Sequence, residues 1–108
     1  MLHPALPSCP GHELWVRDFT GSTGLFSVVF APGTARRAVH AFVDALQLFA
    51  IGYSWGGVSG VVAPWSLGPN RGPYGDRLVR LYVGLEDTRD VIADLEAGLA
   101  ALARPEPA

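Results

Sequence analysis

The sequence predicts an α+β domain, with a small antiparallel or mixed sheet and two helices packed on one face of it. Residues 25–30 are rich in Val and Phe, and residues 77–83 place Val79, Leu81 and Val83 on one face of a strand. Residues 34–49 and 87–102 repeat apolar side chains at three- and four-residue steps, as amphipathic helices do. The predicted order is strand, helix, strand, strand, helix, so the other face of the sheet stays open.

Length and charge limit the possible functions. A chain of 108 residues suffices for one domain but is small for a complete metabolic enzyme, and its apolar fraction of 49% is that of a globular chain. The formal net charge of −2 gives no electrostatic case for nucleic acid or an anionic membrane. We expect no signal peptide, since no basic region precedes an apolar run. The single cysteine, Cys9, fits a reducing cytoplasm, which is the predicted location.

The first part of the chain is predicted to be an extended lead-in over residues 1–23. Pro4, Pro7 and Pro10, with Gly11 close behind, exclude a regular helix there. Residues 13–19 admit either a short helical turn or an extended segment. No metal site is predicted, because His, Cys and carboxylate side chains do not fall at ligand spacing.

The domain itself is predicted over residues 24–103, followed by a frayed tail over residues 104–108. After a buried strand at 25–30, Thr34 is the expected N-cap of a helix that runs to about residue 49. Its apolar stripe comprises Val39, Phe42, Val43, Leu46 and Phe49. His40 and Asp44 lie off this stripe, and a solvated helix face is expected there.

The second half continues with a short strand, a loop, a strand and a helix. Proline ends the strand at 61–64, residues 67–74 read as a loop, and the strand at 77–83 follows. Asp87 is the predicted N-cap of the last helix. The inward face of that helix is predicted to comprise Val91, Ile92, Leu95, Leu99 and Leu102.

Arg80 is the first candidate for a functional side chain. With period two along its strand it points away from the core, beside an aromatic residue. A guanidinium on a rigid strand can hold a carboxylate or phosphate through two parallel hydrogen bonds. The alternative is an exposed arginine that keeps the sheet soluble.

Ser54 and Trp55 form the second candidate. They precede the pair Gly56-Gly57, and glycines allow a backbone to pass close to a ligand. Here a hydroxyl adjoins a ring on which a ligand could stack. The alternative interpretation is a structural loop with an aromatic plug.

Three collinear stretches carry a family resemblance. Residues 3–12 read HPALPSCPGH and are followed by LW and RDF; residues 49–57 read FAIGYSWGG; residues 79–87 read VRLYVGLED, with DVIADL at 90–95. Together they resemble the C-terminal domain of the pyridoxal-phosphate-dependent enzymes of cysteine and methionine metabolism, in the cystathionine β-lyase branch. The resemblance extends from His3 to about Leu102.

The resemblance implies a role in binding substrate. In such a lyase Arg80 would hold the substrate α-carboxylate, aided by Ser54 and Trp55, during β-elimination of cystathionine to homocysteine, pyruvate and ammonia. The family loop usually continues Gly-Gly-x-Glu-Ser, whereas Ser59 stands here at the glutamate position. The implied partners are a sulfur amino-acid substrate and a large pyridoxal-phosphate domain, and a homo-oligomer is expected.

The basic residues restrict what this chain does alone. All eight are arginines and none is lysine, so no side chain can form the Schiff base that anchors pyridoxal phosphate. The chain is therefore expected to bind no cofactor covalently, to contribute no catalytic residue and to be inactive by itself. The alternative function is a stand-alone binding or self-association module that uses the open sheet face. A hydrolase built on Ser54 and a histidine lacks a nucleophile elbow and a matched acid.

Overall fold

The computed structural model describes residues 1–64 and 72–103 of the chain. The elements follow one another as α1 (His12–Asp18), β1 (Leu25–Val29), α2 (Arg36–Ala45), β2 (Ala50–Ile51), β3 (Val61–Pro64), β4 (Leu78–Tyr82) and α3 (Thr88–Leu102). A 3-10 segment, Gly72–Arg77, leads into β4. The predicted α+β class is confirmed. Within the described residues, every helix is too short or too polar to traverse a bilayer.

The sheet is mixed and has the strand order β1-β4-β3-β2. The third of these, β3, pairs in parallel with β2, while β4 pairs antiparallel with both β1 and β3. Leu2 extends the far edge through a single antiparallel bridge to Ser27 on β1. Strand β1 is half-buried along its whole length rather than well buried as predicted. Edge strands have fewer neighbours to cover them, which accounts for the difference.

The core lies between the sheet and the helices α2 and α3, with both helices on one face. All five residues of the stripe predicted for the first helix are buried there, as are the inward residues of β3 and β4: Val39, Phe42, Val43, Leu46, Phe49, Val62, Val79 and Leu81. The period-three-and-four pattern therefore identified the correct face of this segment.

The predicted limits of the first helix are wrong at both ends. Ala35 occupies the N-cap position of α2, while the hydroxyl of Thr34 donates to the carbonyl of Ala31 at 2.6 Å and closes the preceding turn. The helix ends at Ala45, because Leu46 has extended backbone angles. Past this end, the Asp94 carboxylate accepts from the Gln47 and Leu48 amides at 2.8 and 3.0 Å. A distant side chain therefore stabilises the break.

The last helix begins as predicted, but it is rotated about its axis relative to the prediction, so that a different face of it is buried. Asp87 accepts from the Arg89 amide at 2.8 Å and is the N-cap of α3. Ile92 and Leu99, predicted to face inward, are 51% and 50% exposed, whereas Asp94 and Gly98 are buried. A Cβ at residue 98 would lie 2.8 Å from the Phe42 ring. The absence of a side chain at this position lets α2 approach closely, and this contact sets the rotation.

The lead-in folds back on itself instead of extending. Backbone amides of Leu6 and Cys9 donate to the carbonyls of His3 and Leu6, each at 2.9 Å, so turns form between the prolines. Proline favours turns through its fixed φ. Of the two alternatives for residues 13–19 the helical one is found, as α1. The boundary at residue 23 remains a prediction.

Two predicted segments are only partly or not at all described. Residues 67–71 of the loop expected at 67–74 lie outside the described residues, and residues 72–74 belong to the 3-10 segment. The frayed tail expected at 104–108 also lies outside the described residues.

Candidate functional site

Arg80 projects from the open face of the sheet. Its neighbours on β4, Val79 and Leu81, are buried against the helices, so alternation along the strand directs Arg80 to the opposite side. The residues paired with it across the sheet are Ser27 on β1 and Ala63 on β3, both of them small. These small neighbours leave room above the sheet for a long side chain and for a ligand beside it.

The guanidinium of Arg80 contacts the loop that follows β2. Its Nη2 donates a hydrogen bond to the backbone carbonyl of Tyr53. Its Cζ lies 5.3 Å from the ring centroid of Trp55, which is a cation–π contact. Arg80 is half-buried, so these contacts keep its charge accessible on the open face of the sheet.

Two of the three predicted site residues are in contact, and the third is the neighbour of Trp55 on the same loop. The structure brings Arg80 and Trp55 together, and it places Ser54 on the exposed loop between two residues that Arg80 contacts. Trp55 is 60% exposed, so one face of its ring is available to a second partner. A guanidinium, an aromatic face and a hydroxyl in this arrangement can bind and orient a carboxylate.

The loop over residues 52–60, called the site loop from here on, is tied down at both ends. At its start the Gly52 amide donates to the Val62 carbonyl at 2.9 Å, which continues the pairing of β2 with β3. Near its end the Leu85 amide donates to the Val58 carbonyl at 2.8 Å. Between these ends, Gly56 has a φ of 82°, a left-handed conformation that glycine adopts without strain.

Glu86 completes the second tie and was missed by the sequence analysis. Its Oε2 accepts from the Gly60 amide at 2.7 Å and its Oε1 from the Gly84 amide at 3.0 Å. The Gly60 amide is the main reason that the pKa of Glu86 lies below its ordinary value; desolvation opposes this effect, and the Glu86 and Gly84 amides add to it. The one available signal in the sequence was a glutamate that follows Gly84 in the short connection between β4 and α3.

Metal chemistry finds no support in the described part of the chain. Among residues 1–64 and 72–103, no three His, Cys, Asp or Glu side chains are grouped so as to hold a metal ion. His3 instead uses Nε2 to donate to the Thr23 carbonyl at 3.1 Å, and the His12 Nδ1 lies 2.7 Å from the Pro4 carbonyl. Both imidazole rings therefore form hydrogen bonds that stabilise the folded lead-in.

The mixed four-stranded sheet and its two covering helices have the fold of the C-terminal domain of fold-type I pyridoxal-phosphate enzymes. A solved cystathionine gamma synthase from Xanthomonas oryzae, in complex with cystathionine, superposes with a TM-score of 0.79 and 34% identity over 93% of this chain and 28% of its own. A family model described as "Cys/Met metabolism PLP-dependent enzyme" matches residues 1–100, and the chain belongs to that family.

Curated relatives agree with this assignment. A putative cystathionine beta-lyase of Rhizobium johnstonii is 46% identical over 107 residues, which are 94% of this chain. The cystathionine beta-lyase of Escherichia coli is 44% identical over 108 residues, which are 93% of this chain. The match covers 27% of each relative, so the chain spans about a quarter of their length.

Proposed function

We propose that the chain is the C-terminal domain of a cystathionine β-lyase-like enzyme and that it binds the α-carboxylate of the substrate. Arg80 binds the carboxylate through its guanidinium, while Ser54 donates a hydroxyl and Trp55 holds the arginine in place. The reaction is β-elimination of cystathionine to homocysteine, pyruvate and ammonia, and this domain supplies positioning for it. Positioning of a bound substrate accounts for a substantial part of enzymatic rate enhancement.

The position of Arg80 carries this proposal. Its guanidinium comes from an internal strand, so its base is rigid, and its Nη2 is bound to a backbone carbonyl on an exposed loop. A carboxylate is a stronger acceptor for a guanidinium than a neutral carbonyl and binds it through two bonds. An incoming substrate can therefore replace Tyr53 as the acceptor while the cation–π contact with Trp55 remains.

Pyridoxal phosphate does not fit the residues of this chain as a covalently bound group. When bound in an enzyme, the cofactor acts as an electron sink for bond cleavage at the substrate, and it is attached through a lysine amine. The chain has no lysine, and its basic donor at the site is Arg80, which cannot form an imine. The lysine and the phosphate seat would come from a large pyridoxal-phosphate domain outside these residues.

Complementation tests the proposal. The chain is mixed with the separately expressed cofactor domain of the Rhizobium johnstonii relative, and pyruvate release from cystathionine is measured with each component alone and with both together. We expect turnover only when both components are present. We expect Arg80→Ala to abolish it and Arg80→Lys to restore little, because lysine lacks the planar fork that binds a carboxylate through two bonds.

Arg17→Lys is the matched control, because Arg17 lies on α1 and pairs with Asp18 at 2.8 Å, away from β4. It should behave as the unaltered chain does. Turnover by the chain with added pyridoxal phosphate alone, or an Arg80→Ala mixture as active as the unaltered one, would contradict the proposal.

A second candidate function is self-association with another copy of the chain, through α1 and not through the open sheet face suggested by the sequence. Helix α1 buries none of its residues in the described structure, and Leu14, Val16 and Phe19 are each at least half exposed. A largely apolar groove of about 450 Å³ adjoins it, lined in part by Trp15 and Leu25. Exposed apolar clusters of this kind often mark interfaces.

The mass of the chain in solution tests this second candidate. Light scattering should give a dimer or larger species, and Phe19→Glu should shift the population towards the monomer. Glu13→Gln on the same helix is the control and should leave the mass unchanged. A monomer at all concentrations would exclude this function.

A further inference from the structure

We propose that Glu86 is a positioning residue that fixes the site loop relative to Arg80, and this inference rests on the carboxylate-binding function proposed above. Glu86 follows β4, the strand that carries Arg80, and it binds the loop that carries Ser54 and Trp55. It therefore connects the two halves of the site without contacting the ligand.

The first support is the geometry of the carboxylate. Each oxygen of Glu86 accepts from a different segment: Oε2 from the Gly60 amide of the site loop, and Oε1 from the Gly84 amide two residues beyond the end of β4. Hydrogen bonds from amides to a carboxylate are stronger than those to a neutral acceptor. One side chain thus joins two backbone segments that are separated by more than twenty residues of sequence.

The second support is the close packing of the same two segments. The Leu85 amide donates to the Val58 carbonyl at 2.8 Å, and a Cβ at residue 84 would lie 2.7 Å from the carbonyl carbon of Val58. A Cβ at residue 60 would lie 3.0 Å from the Phe49 ring. The glycines at 60 and 84 let the backbones approach, and Glu86 then satisfies the two amides that this approach brings together.

The third support is the ionisation of the carboxylate. Amide donors favour the charged form and keep the pKa of Glu86 below its ordinary value, so the group is ionised at neutral pH. The site loop carries no acidic residue of its own between residues 52 and 60. Its negative partner comes from beyond β4 instead.

The consequence for binding is direct. If the end of the site loop separates from β4, Tyr53 and Trp55 can no longer hold the guanidinium at the same position. Arg80 then samples more rotamers, and a carboxylate must order it on binding. Weaker carboxylate binding at unchanged fold is therefore the effect that distinguishes a positioning role from a general contribution to stability.

The experiment is nuclear magnetic resonance of the isotope-labelled 108-residue chain with Glu86→Gln, Glu86→Asp and Glu96→Gln. Glu96 is an exposed carboxylate on α3, and its change to Gln is the matched control. Three quantities are measured: hydrogen exchange of the Gly60 amide, the chemical shift of the Trp55 indole N–H, and the affinity for acetate, the carboxylate probe.

With Glu86→Gln we expect Gly60 exchange to accelerate by about tenfold or more, which corresponds to the loss of one charged hydrogen bond. The Trp55 indole signal should shift, and acetate affinity should fall by about fivefold or more. Glu86→Asp, which keeps the charge, should recover part of each effect. In Glu86→Gln, exchange of the α2 amides should be unchanged, and Glu96→Gln should match the unaltered chain in all three quantities. If Glu86→Gln does not fold, the same three quantities measured on Glu86→Asp decide the inference.

Two results overturn the inference. One is an unmoved Trp55 signal with normal Gly60 exchange; the other is unchanged acetate affinity in a chain whose global stability alone has fallen. If Arg80→Ala loses acetate while Glu86→Gln keeps it, the carboxylate function stands and the inference fails. If the unaltered chain binds no acetate while Glu86→Gln frees the loop, the carboxylate function fails and the tie between Glu86 and the loop stands.

Discussion

Asp94, in the middle of α3, accepts a hydrogen bond from the backbone amide of Gln47 at 2.8 Å, just beyond the end of α2. Its second oxygen accepts from the Leu48 amide at 3.0 Å. Asp94 is 8% exposed, and both of these hydrogen bonds are partly buried. A buried carboxylate on one helix thus determines where the chain leaves the other.

Replacing Asp94 should therefore lower the stability of the fold. In Asp94→Asn one acceptor oxygen becomes an amide group, and one of the two backbone N–H groups loses its partner. A fully buried donor left unsatisfied costs about 1–3 kcal/mol, and we expect a loss of stability at the lower end of this range because these amides are only partly buried. Urea denaturation should show a lower midpoint with an unchanged slope, while Glu96→Gln on the exposed side of α3 should leave the midpoint in place. Equal midpoints for the two variants would contradict this role of Asp94.

The contact of α3 with α2 should tolerate no added volume at Gly98. A Cβ there would lie 2.8 Å from the Phe42 ring and 2.9 Å from a methyl group of Leu46. We expect Gly98→Val to destabilise the fold by about 1–3 kcal/mol through overpacking, measured by urea or thermal unfolding. Ala97→Val at the neighbouring exposed position is the control for helix propensity. A loss of stability no larger than that of Ala97→Val would show that the two helices can move apart without a cost in free energy, and would contradict the prediction.

Arg80 and Trp55 should be energetically coupled. A double-mutant cycle with Arg80→Ala, Trp55→Ala and the double variant isolates their interaction from other effects of each change. For an exposed cation–π pair we expect a coupling of about 0.5–1 kcal/mol in the free energy of unfolding. The pair Arg17→Ala and Trp55→Ala gives the reference, for which the effects should add. Additive effects for Arg80 as well would mean that the contact does not form in solution.

Asp87 should make the stability of the chain depend on pH. The Arg89 side chain first and the Arg89 amide second lower the pKa of Asp87 below its ordinary value. Because its pKa is lower in the folded state, its charge stabilises the fold fully above the ordinary pKa. This stabilisation disappears as the pH falls through the native pKa.

Asp87→Asn tests this, because Asn keeps a capping oxygen but not the charge. Urea midpoints of the variant and the unaltered chain should differ at neutral pH and converge as the pH falls through the native pKa of Asp87, below its ordinary value. Asp44→Asn on the exposed side of α2 should give a difference that changes less with pH. A difference for Asp87→Asn that is constant across this range would refute the prediction.

The sequence by itself was sufficient wherever a structure depends on neighbours within a few positions. The stripe from Val39 to Phe49 defined the core face of α2, Asp87 was identified as the cap of α3, and Pro64 ends β3. These outcomes follow from helical periodicity, side-chain capping and the missing amide of proline. The α+β class and the family follow from the same local patterns and the motifs they contain. The roles of Arg80, Ser54 and Trp55 remain predictions.

Tertiary structure decided what depends on residues that are distant in the chain. The end of α2 depends on Asp94, which lies 47 positions from Gln47, and the path of the site loop depends on Glu86, which lies 26 positions from Gly60. The rotation of α3 follows from the close approach of Gly98 to Phe42, which buries Asp94 and exposes Ile92 and Leu99. A periodic pattern ranks side chains by polarity alone. Which amide a carboxylate meets, and which glycine permits contact between helices, is fixed when distant segments pack.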